Sequence, residues 1–537
     1  MTERKKILSG DQALAYGALS CGVRIVTGYP GSPSSGTVET LIGLAKTHNI
    51  YVEWSSNERV ALEMGIGASI AGSRALVCTK SVGFNVMIDP LMALNLTPVH
   101  GGLVILLGDD PGGYGSQNDQ DSRSLVASVE MPLMEPSTPS DAYAMMQKGF
   151  QISEQFNTPV IIRETRSFTR QVESFSVSDK TLKADNLGLK REPWRFVPVP
   201  LNVVDKHRNL HKTIDSLKEW AKTTAFNTVT GKGTKGIVGA GFAHQKVGDV
   251  LGKRNLDQFR LLKLGVLYPL PEKIIVDFLK ECQDVLIVEE NEPYIEIQIK
   301  AIAHDNFCRA RIFGKQSSHI SREGELFRWQ IQDALAKFAP EFIPSQIYCA
   351  ENEVKERPKR KDYCGNCQYD KILDALEAAA ASLGQKPVIV GDPGCLVTVA
   401  DRLDAKYAIG SAVAVADGLS KAGIEERAVA IFGDSAFFHS ALPAICNAVH
   451  NRSKILMVIL DNKATATSGF QTNPGVDKNA LGQDAPSLDI EQIARACGVK
   501  HILSAGPDEH EVKLKDKFKE ALLLPHLVLL IIGIRPK

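Results

Sequence analysis

The chain contains 537 residues, which is enough for about three domains of about 150 residues each and argues against a single hydrophobic core. Lys plus Arg and Asp plus Glu both number 62, so the charge balance gives no indication of binding to nucleic acid or to an anionic membrane. The charged N-terminus lacks the apolar core of a signal peptide, and the last apolar run, 522–534, is interrupted by Pro525, so we expect a soluble, cytoplasmic protein without a membrane span.

Short apolar runs alternate with helix-like segments in the first third of the chain. Between about residues 7 and 185 the β-branched runs are VRIVTGYP, IYVEWSS, RALVCTK, GGLVILLGDD and PVIIRET. This alternation predicts parallel strands that are joined by helical crossovers.

Two further sets of alternating strands and helices follow. One begins near Gly236 with KGIVGAGFA, FRLLKLG and DVLIVEE, and the other runs through KPVIVGDPGC, AVAIFGDS, ILMVILDN and HLVLLIIG. The proline-containing residues 190–235 and the charged residues 351–362 are typical of connectors. The sequence therefore predicts an α/β protein of three doubly wound domains, which we place at residues 1–190, 191–350 and 351–537.

Polar side chains follow two neighbouring strands of the third set. Asp434 ends the run 428–432, and Asp461 and Asn462 end the next run, 455–460. Because ligands collect beyond the carboxyl ends of parallel strands, we expect the two strand ends to lie close together. A carboxylate, an amide and a nearby backbone carbonyl would give Mg²⁺ one face of its oxygen shell, and the helix that starts at Asp434 would favour a diphosphate. The alternative is an ordinary strand-to-helix turn with an N-cap.

This arrangement resembles the thiamine diphosphate signature, which consists of Gly433, Asp434 and Ser435 and of Asn462 on the next strand. The resemblance implies that Asp434, Asn462 and the carbonyl of Ala464 hold Mg²⁺ and that Thr465 joins the cofactor-binding residues. Thiamine also needs a carboxylate that drives its pyrimidine ring into the imino form. We assign this role to Glu58, at the turn from a strand into a helix of small residues, in preference to Glu53 and Glu63.

The residues around these positions resemble one thiamine family in particular. The stretches that carry the resemblance are TGYPGSPSSGTVETL, YVEWSSNERVALEMGIGASIAG, GSQNDQDSR, LLKLGVLYPLPEKII and GDSAFFHSALPAICNAVHNRSKILMVILDN. They are similar to the large subunit of indolepyruvate ferredoxin oxidoreductase over nearly the whole chain. The resemblance implies a pyrimidine-binding domain, a transketolase-C-terminal-like domain and a diphosphate-binding domain, in that order.

The resemblance also implies an activity, partners and further site residues. Members of the family oxidatively decarboxylate aryl 2-oxo acids to acyl-CoA, pass the electrons to ferredoxin and need a smaller partner subunit; homodimerisation of this subunit is expected as well. The loop of Tyr29, Pro30 and Gly31 would line the thiazolium side of the pocket, and His439 would assist proton transfer. Arg123 would meet a carboxylate or form a surface ion pair.

Three cysteines match an iron–sulfur pattern of related enzymes: Cys364, Cys367 and Cys395. A fourth ligand is expected just after Pro536, and a C-terminal ferredoxin-like segment is expected beyond it, whereas this sequence stops at Lys537. A [4Fe–4S] cluster usually has four thiolate ligands. Either a partner or a non-cysteine ligand supplies the fourth, or the cysteines line a site without a cluster; a zinc half-site and a redox disulfide are further alternatives.

Two classes of activity remain open from the sequence. The first is an oxidoreductase subunit that acts on an aryl or branched 2-oxo acid, with CoA as acyl acceptor and a partner protein as electron acceptor. The second is a thiamine-dependent lyase, decarboxylase or carboligase, acting for example on acyl-CoA substrates, that needs no electron exit. A scaffold subunit that binds thiamine without turnover is a third, less favoured interpretation.

Overall fold

The computed structural model describes residues 3–178, 187–189, 191–252, 258–343 and 368–535. Their strands form four sheets, three of them predominantly parallel and covered by helices, which confirms the predicted α/β class. None of the helices in these ranges has the length and apolar character needed to cross a bilayer.

The first large sheet has seven strands. Leu103–Asp109 is buried along its whole length, as expected for a parallel strand that is covered on both faces. All five strands predicted in this part of the chain belong to the sheet. Its spatial order is Val266–Tyr268, Leu133–Met134, Val160–Thr165, Leu103–Asp109, Ala75–Lys80, Ile25–Gly28 and Tyr51–Trp54.

The second large sheet has five strands, and only Thr228–Gly231 at its edge is antiparallel. Its order is Arg311–Phe313, Asp284–Val288, Lys235–Ala240, Phe259–Leu264 and Thr228–Gly231. Val77 and Ile105 of the seven-stranded sheet belong to the same hydrophobic cluster as Val238 and Ile287 of the five-stranded sheet. The two sheets therefore share a core.

The third large sheet has six strands, all parallel. Its order is Ala405–Lys406, Val388–Gly391, Ala428–Gly433, Leu456–Asp461, Val528–Gly533 and His501–Ala505. A separate antiparallel ribbon, which the sequence did not reveal, pairs Glu3–Ser9 with Val172–Ser178.

Helices connect most of these strands. In the first part of the chain they are Gly10–Ser20, Ser35–His48, Glu58–Ile70, Ser81–Leu94, Arg123–Ser128, Pro139–Phe156, Arg166–Thr169 and Val203–Ala221. Phe242–Leu251, Glu272–Lys280, Tyr294–Asp305 and Arg328–Phe338 accompany the five-stranded sheet. The third sheet is accompanied by Tyr369–Ser382, Ala412–Lys421, Asp434–Ala436, Leu442–His450, Ile490–Ala496 and Glu511–Leu523, by the 3₁₀ turns Cys395–Arg402 and Ala466–Ser468 and by the π-turn Phe437–Ala441.

The chain divides into two compact units. One comprises Met1–Val52 and Glu58–Lys361, and the other comprises Glu53–Asn57 and Asp362–Lys537. The first two sheets, which share a core, belong to the first unit except for Glu53 and Trp54 at the end of an edge strand. The predicted domain boundaries at residues 190 and 350 fall outside the described residues and stay predictions.

Arg123 connects two parts of the first unit. Its guanidinium is 1% exposed, lies 2.6 Å from Asp121 and 2.7 Å from Glu289, and also donates to the carbonyls of Glu290 and Glu292. A surface ion pair was one of two predicted roles for Arg123, and it is wrong because the side chain is buried. The carboxylates that it meets belong to the protein.

Candidate cofactor site

The predicted cofactor residues of the second unit follow adjacent strands. Gly433 pairs with Leu460 in the parallel ladder, so Asp434 and the Asp461–Asn462 turn emerge side by side at the carboxyl edge of the sheet. This confirms the predicted proximity of the two strand ends. Each strand extends one residue further than predicted, to Gly433 and Asp461.

Asp434 is a buried carboxylate with one well-placed amide donor. Its side chain is 2% exposed, and Asn473 Nδ2 donates to Asp434 Oδ2 over 2.8 Å. Burial raises the pKa of the Asp434 carboxyl to about 6; the Asn473 hydrogen bond lowers it, and the nearby charge of Asp461 raises it. Two neighbouring acidic groups at this sheet edge would be stabilised by a cation.

A loop supplies more oxygen atoms beside Asp434. Ser435 Oγ lies 3.0 Å from Thr465 Oγ1 and 3.4 Å from the carbonyl oxygen of Ala464. Asn462 Oδ1 accepts a hydrogen bond of 3.1 Å from the Ala464 amide, which fixes the turn between them. The structure thus brings together the residues predicted for the metal and the diphosphate.

These residues fit a magnesium diphosphate. Carboxylate, amide, hydroxyl and carbonyl oxygens are the hard donors that Mg²⁺ prefers, and no thiolate or imidazole is among the five predicted residues Asp434, Ser435, Asn462, Ala464 and Thr465. A helical segment begins at Asp434 on this sheet edge, and the first backbone N–H groups of a helix have no partner within the helix. The donor set therefore suits both the cation and the phosphate oxygens.

His439 lies in a π-turn that the sequence analysis did not predict. Residues Phe437–Ala441 form the turn, and Pro443 follows it. Pro443 has no N–H to donate to the carbonyl four residues earlier, which is that of His439. This carbonyl instead accepts a hydrogen bond of 2.9 Å from Asn57, a residue of the same unit. π-turns within helices occur often at functional sites.

The His439 ring is buried beside two polar groups. The side chain is 4% exposed, and its Nδ1 contacts the hydroxyl of Ser440. Asp392, which follows strand Val388–Gly391, accepts hydrogen bonds from the amides of Gly410, at 2.6 Å, and Ala412, at 2.8 Å. Burial raises the pKa of the Asp392 carboxyl to about 7, although the two amide hydrogen bonds and the nearby His439 each lower it.

One of the three predicted cluster cysteines is described. Cys395 is half-buried at the start of the 3₁₀ turn Cys395–Arg402, next to Gly394. A Cβ on Gly394 would lie 3.9 Å from Thr467 Oγ1, so this turn reaches the loop that contains Ala464 and Thr465. Cys364 and Cys367 lie outside the described residues.

In the first unit, Glu58 is buried at the first position of helix Glu58–Ile70. Its side chain is 4% exposed. Gly83 makes room for the carboxylate, because a Cβ at that position would lie 2.3 Å from Glu58 Oε1 and 2.6 Å from Thr79 Oγ1. The helix therefore begins with a carboxylate that is enclosed by the protein.

The two alternatives to Glu58 have different surroundings. Glu63 forms an exposed pair with Arg59 one turn earlier on the same helix, with Nε and Oε1 2.8 Å apart. Glu53 accepts a hydrogen bond of 2.7 Å from Ser55. Burial at a helix start distinguishes Glu58 from both.

The loop of Tyr29, Pro30 and Gly31 packs against Lys80 in the same unit. A Cβ on Gly31 would lie 2.8 Å from Lys80 Cδ, so only glycine leaves space for this lysine. Burial lowers the pKa of the Lys80 amine, while the charges of Glu58 and Asp110 raise it. Lys80 therefore lies near both Glu58 and the predicted pocket loop.

The sequence did not predict four residues that contact the candidate site residues around Asp434, His439, Glu58 and Gly31. They are Lys80, Gly83, Asp392 and Asn473. Only Asp392 and Asn473 had a visible signal, since Asp392 follows a predicted strand and Asn473 lies within the polar segment after Asn462. Lys80 and Gly83 matter through contacts with residues that are distant in sequence.

Three family models match the chain in succession. Residues 16–207 match "Pyruvate flavodoxin/ferredoxin oxidoreductase, thiamine diP-bdg". Residues 231–344 match "Indolepyruvate oxidoreductase domain", and residues 404–532 match "Thiamine pyrophosphate enzyme, C-terminal TPP binding domain". With the α/β architecture, these matches define the class as thiamine diphosphate-dependent 2-oxoacid oxidoreductases.

Relatives extend the similarity to nearly the whole chain. The indolepyruvate oxidoreductase subunit IorA of Pyrococcus horikoshii is 33% identical over 94% of this chain and 81% of its own length. The IorA subunit of Methanothermobacter thermautotrophicus is also 33% identical, over 94% of this chain and 82% of its own. The chain belongs to the IorA family of indolepyruvate oxidoreductase subunits, which confirms the family inferred from the sequence.

A solved structure is similar at a lower level. It is a 2-oxoglutarate:ferredoxin oxidoreductase from Magnetococcus marinus with 2-oxoglutarate, coenzyme A and succinyl-CoA bound. The identity is 15%, the TM-score is 0.45, and the match covers 58% of this chain and 62% of that chain. A similarity of this size supports no argument about the site.

Proposed function

We propose that this chain is the thiamine-binding subunit of an enzyme that oxidatively decarboxylates an aryl 2-oxo acid. CoA accepts the acyl group, and electrons leave through a smaller partner subunit or an acceptor protein. The observation that carries the proposal is the 33% identity to IorA subunits over 94% of the chain. Indolepyruvate, named in those relatives, is the first substrate to test.

The residues of the second unit would hold the charged end of the cofactor. Asp434, Asn462 and the carbonyl of Ala464 would bind Mg²⁺, and the helix start with Ser435 and Thr465 would bind the diphosphate. Asn473 would keep the Asp434 carboxylate turned toward the metal through its hydrogen bond of 2.8 Å. A bound cation would also favour the ionised form of Asp434, whose pKa burial raises to about 6.

Glu58 would act on the other end of the cofactor. Bound thiamine diphosphate supplies the nucleophilic carbon for the keto group and accepts the electron pair that remains when CO₂ leaves. The Glu58 carboxyl would share a proton with the pyrimidine nitrogen, and its burial strengthens such a hydrogen bond. Tyr29, Pro30 and Gly31 would line the pocket, and His439 would hold or donate a proton near the reacting carbon.

Measuring the iron content tests whether this chain binds an iron–sulfur cluster that carries the electrons. Cys364, Cys367 and Cys395 provide three thiolates, one fewer than a [4Fe–4S] cluster usually has. The anaerobically purified complex is analysed for iron and acid-labile sulfide. If both are present and both are lost in Cys395→Ser, the three cysteines hold a cluster. Iron retained in full in Cys395→Ser would place the cluster on the partner, and a complex without iron that still reduces an acceptor would exclude an iron–sulfur carrier.

A substrate screen tests the proposed function. The complex of this chain with its co-purifying subunit is assayed anaerobically with indolepyruvate, phenylpyruvate, branched 2-oxo acids and 2-oxoglutarate, with and without CoA and a redox dye. We expect dye reduction and acyl-CoA formation that require both CoA and thiamine diphosphate, with aryl substrates preferred. CO₂ release without CoA, dye or acyl-CoA formation would refute the oxidative reaction and indicate a lyase or decarboxylase.

A further inference from the structure

A cluster of two imidazoles and a carboxylate lies in the first unit and contains none of the predicted cofactor residues. His207 and His211 are one turn apart on helix Val203–Ala221, so their rings lie on the same face. Glu130 lies between them: its Oε2 is 3.1 Å from His207 Nε2, and its Oε1 is 3.2 Å from His211 Nε2. Within the described ranges, these three residues are the group of three or more His, Cys, Asp or Glu side chains that could hold a metal ion, with one ligand atom from each residue within 4.8 Å of the others.

The backbone at Glu130 is unusual for a glutamate. Glu130 follows helix Arg123–Ser128 with φ of +54°, and its amide donates to the Ala127 carbonyl. Glycine or asparagine is favoured in this left-handed position after a helix, because a Cβ costs free energy there. In this conformation the Glu130 side chain lies between the two imidazoles.

We propose that Glu130, His207 and His211 form a zinc site that ties helix Val203–Ala221 to the end of helix Arg123–Ser128. Two imidazole nitrogens and one carboxylate oxygen are a common zinc donor set, and imidazole disfavours Mg²⁺ and Ca²⁺. Zinc bonds of about 2.0–2.1 Å in a tetrahedron place ligand atoms about 3.3 Å apart. Here each imidazole nitrogen lies 3.1 or 3.2 Å from a different oxygen of Glu130, and one ligand atom from each of the three side chains lies within 4.8 Å of the others. Small side-chain movements would therefore bring the three donors to one ion. Water would occupy the fourth position.

The cluster is accessible to an ion from solution. The side chains of His207, His211 and Glu130 are 50%, 56% and 26% exposed. Glu130 and His211 also line a cavity of about 360 Å³ together with Asp215 and Tyr268. Asp215 lies one turn beyond His211 on the same helix, and its carboxylate is paired with Lys218, 3.2 Å away, which lines the same cavity.

Zinc titration of the whole protein tests the proposal. Protein is stripped with a chelator and titrated with Zn²⁺ in competition with a chromophoric chelator, in a Cys364→Ser, Cys367→Ser background that removes the thiolate pair. We expect His211→Ala and Glu130→Gln each to weaken zinc affinity at least tenfold. His304→Ala is the matched control, because His304 is 89% exposed on another helix and lies outside the cluster.

Two further measurements keep the result interpretable. Without metal, all variants should melt close to the temperature of the cysteine-substituted parent, since His211 and His304 are at least half exposed and glutamine keeps the volume of Glu130. With Zn²⁺, only the parent and His304→Ala should melt at a higher temperature. Co²⁺ should give visible absorption without the intense thiolate charge-transfer bands. Equal zinc affinity in the parent, His211→Ala and Glu130→Gln would overturn the proposal and leave the three residues as hydrogen-bonding partners only.

Discussion

Asn473 donates a hydrogen bond of 2.8 Å to Asp434 Oδ2, and the same amide nitrogen lies 3.2 Å from Ser435 Oγ. One side chain from a distant loop thus orients two adjacent residues of the predicted diphosphate signature. Outer contacts of this kind hold metal ligands in position.

Replacing Asn473 should therefore weaken cofactor binding. We expect Asn473→Ala to reduce Mg²⁺-dependent thiamine diphosphate affinity about 10-fold to 100-fold, measured by calorimetry. Asn451→Ala is the control, because Asn451 is exposed and its side-chain amide donates to Asn447 on its own helix end, while the bond from Lys421 goes to its backbone carbonyl and survives the substitution. Unchanged affinity in Asn473→Ala would separate this hydrogen bond from cofactor binding.

Glu58→Gln tests the proposed proton-sharing carboxyl. Glutamine keeps the volume but does not take up the proton, so we expect kcat to fall about 10²-fold to 10⁴-fold while thiamine diphosphate still binds. Glu63→Gln, on the exposed face of the same helix, should keep wild-type activity. If kcat is retained in Glu58→Gln, the carboxylate must be sought elsewhere, beginning with Glu53.

Gly83→Ala should affect Glu58 without changing any polar group. The added methyl would lie 2.3 Å from Glu58 Oε1, so the carboxylate must move. We expect loss of activity together with a lower melting temperature. Gly67→Ala, in the helix of Glu58, adds a methyl with no atom within 4 Å and should retain activity and be more stable by up to about 1 kcal/mol. Full activity in Gly83→Ala would show that the position of Glu58 is not critical.

Glu325 should make the stability of the first unit depend on pH. Lys246, 1% exposed, lies 2.7 Å from Glu290 and 3.4 Å from Glu325. Burial raises the pKa of Glu325 from 4.5 to about 7, partly offset by Lys246 and reinforced by Glu290. Between these two values the folded chain binds more protons than the unfolded chain, so the contribution of Glu325 to stability falls as pH rises.

Glu325→Gln removes this titration. We expect the variant to melt at a higher temperature than the wild type at pH 8, by about 2–4 °C for each kcal/mol gained, and to lose that advantage at pH 5. Thermal melts at the two pH values measure the difference. If the melting temperature rises equally at pH 5 and pH 8, the effect of the substitution comes from packing and not from the ionisation of Glu325.

Arg123→Met should destabilise the first unit strongly. It would leave Asp121 and Glu289 buried without their cation, which typically costs about 3–5 kcal/mol. Arg322→Met is the control, because the pair between Arg322 and Glu292 is exposed and such pairs contribute about 0–1 kcal/mol. Denaturant unfolding of the two variants gives the comparison, and similar values for both would contradict the buried role of Arg123.

The sequence predicted the parts of the site that follow strand order. Asp434 and Asn462 could be placed together because parallel strands bring their carboxyl ends to one edge, and Glu58 could be chosen from its position at a helix start. Gly83 and Lys80 could not be found, because their contacts with Glu58 and Gly31 depend on how separate helices and strands pack. Arg123 was ambiguous for the same reason, since its partner Glu289 is distant in sequence.

The π-turn at Phe437–Ala441 has a consequence for chain length. A π-turn contains an extra residue relative to an α-helix that spans the same distance, and each residue rotates an α-helix by about 100°. Deleting one residue between Asp434 and His439 would allow a regular helix but would turn the His439 side chain to a different face relative to Asp434. In related chains this segment should therefore accept substitutions more readily than insertions or deletions. The number of residues between Asp434 and Pro443 would then be constant, because it sets the direction of the His439 side chain.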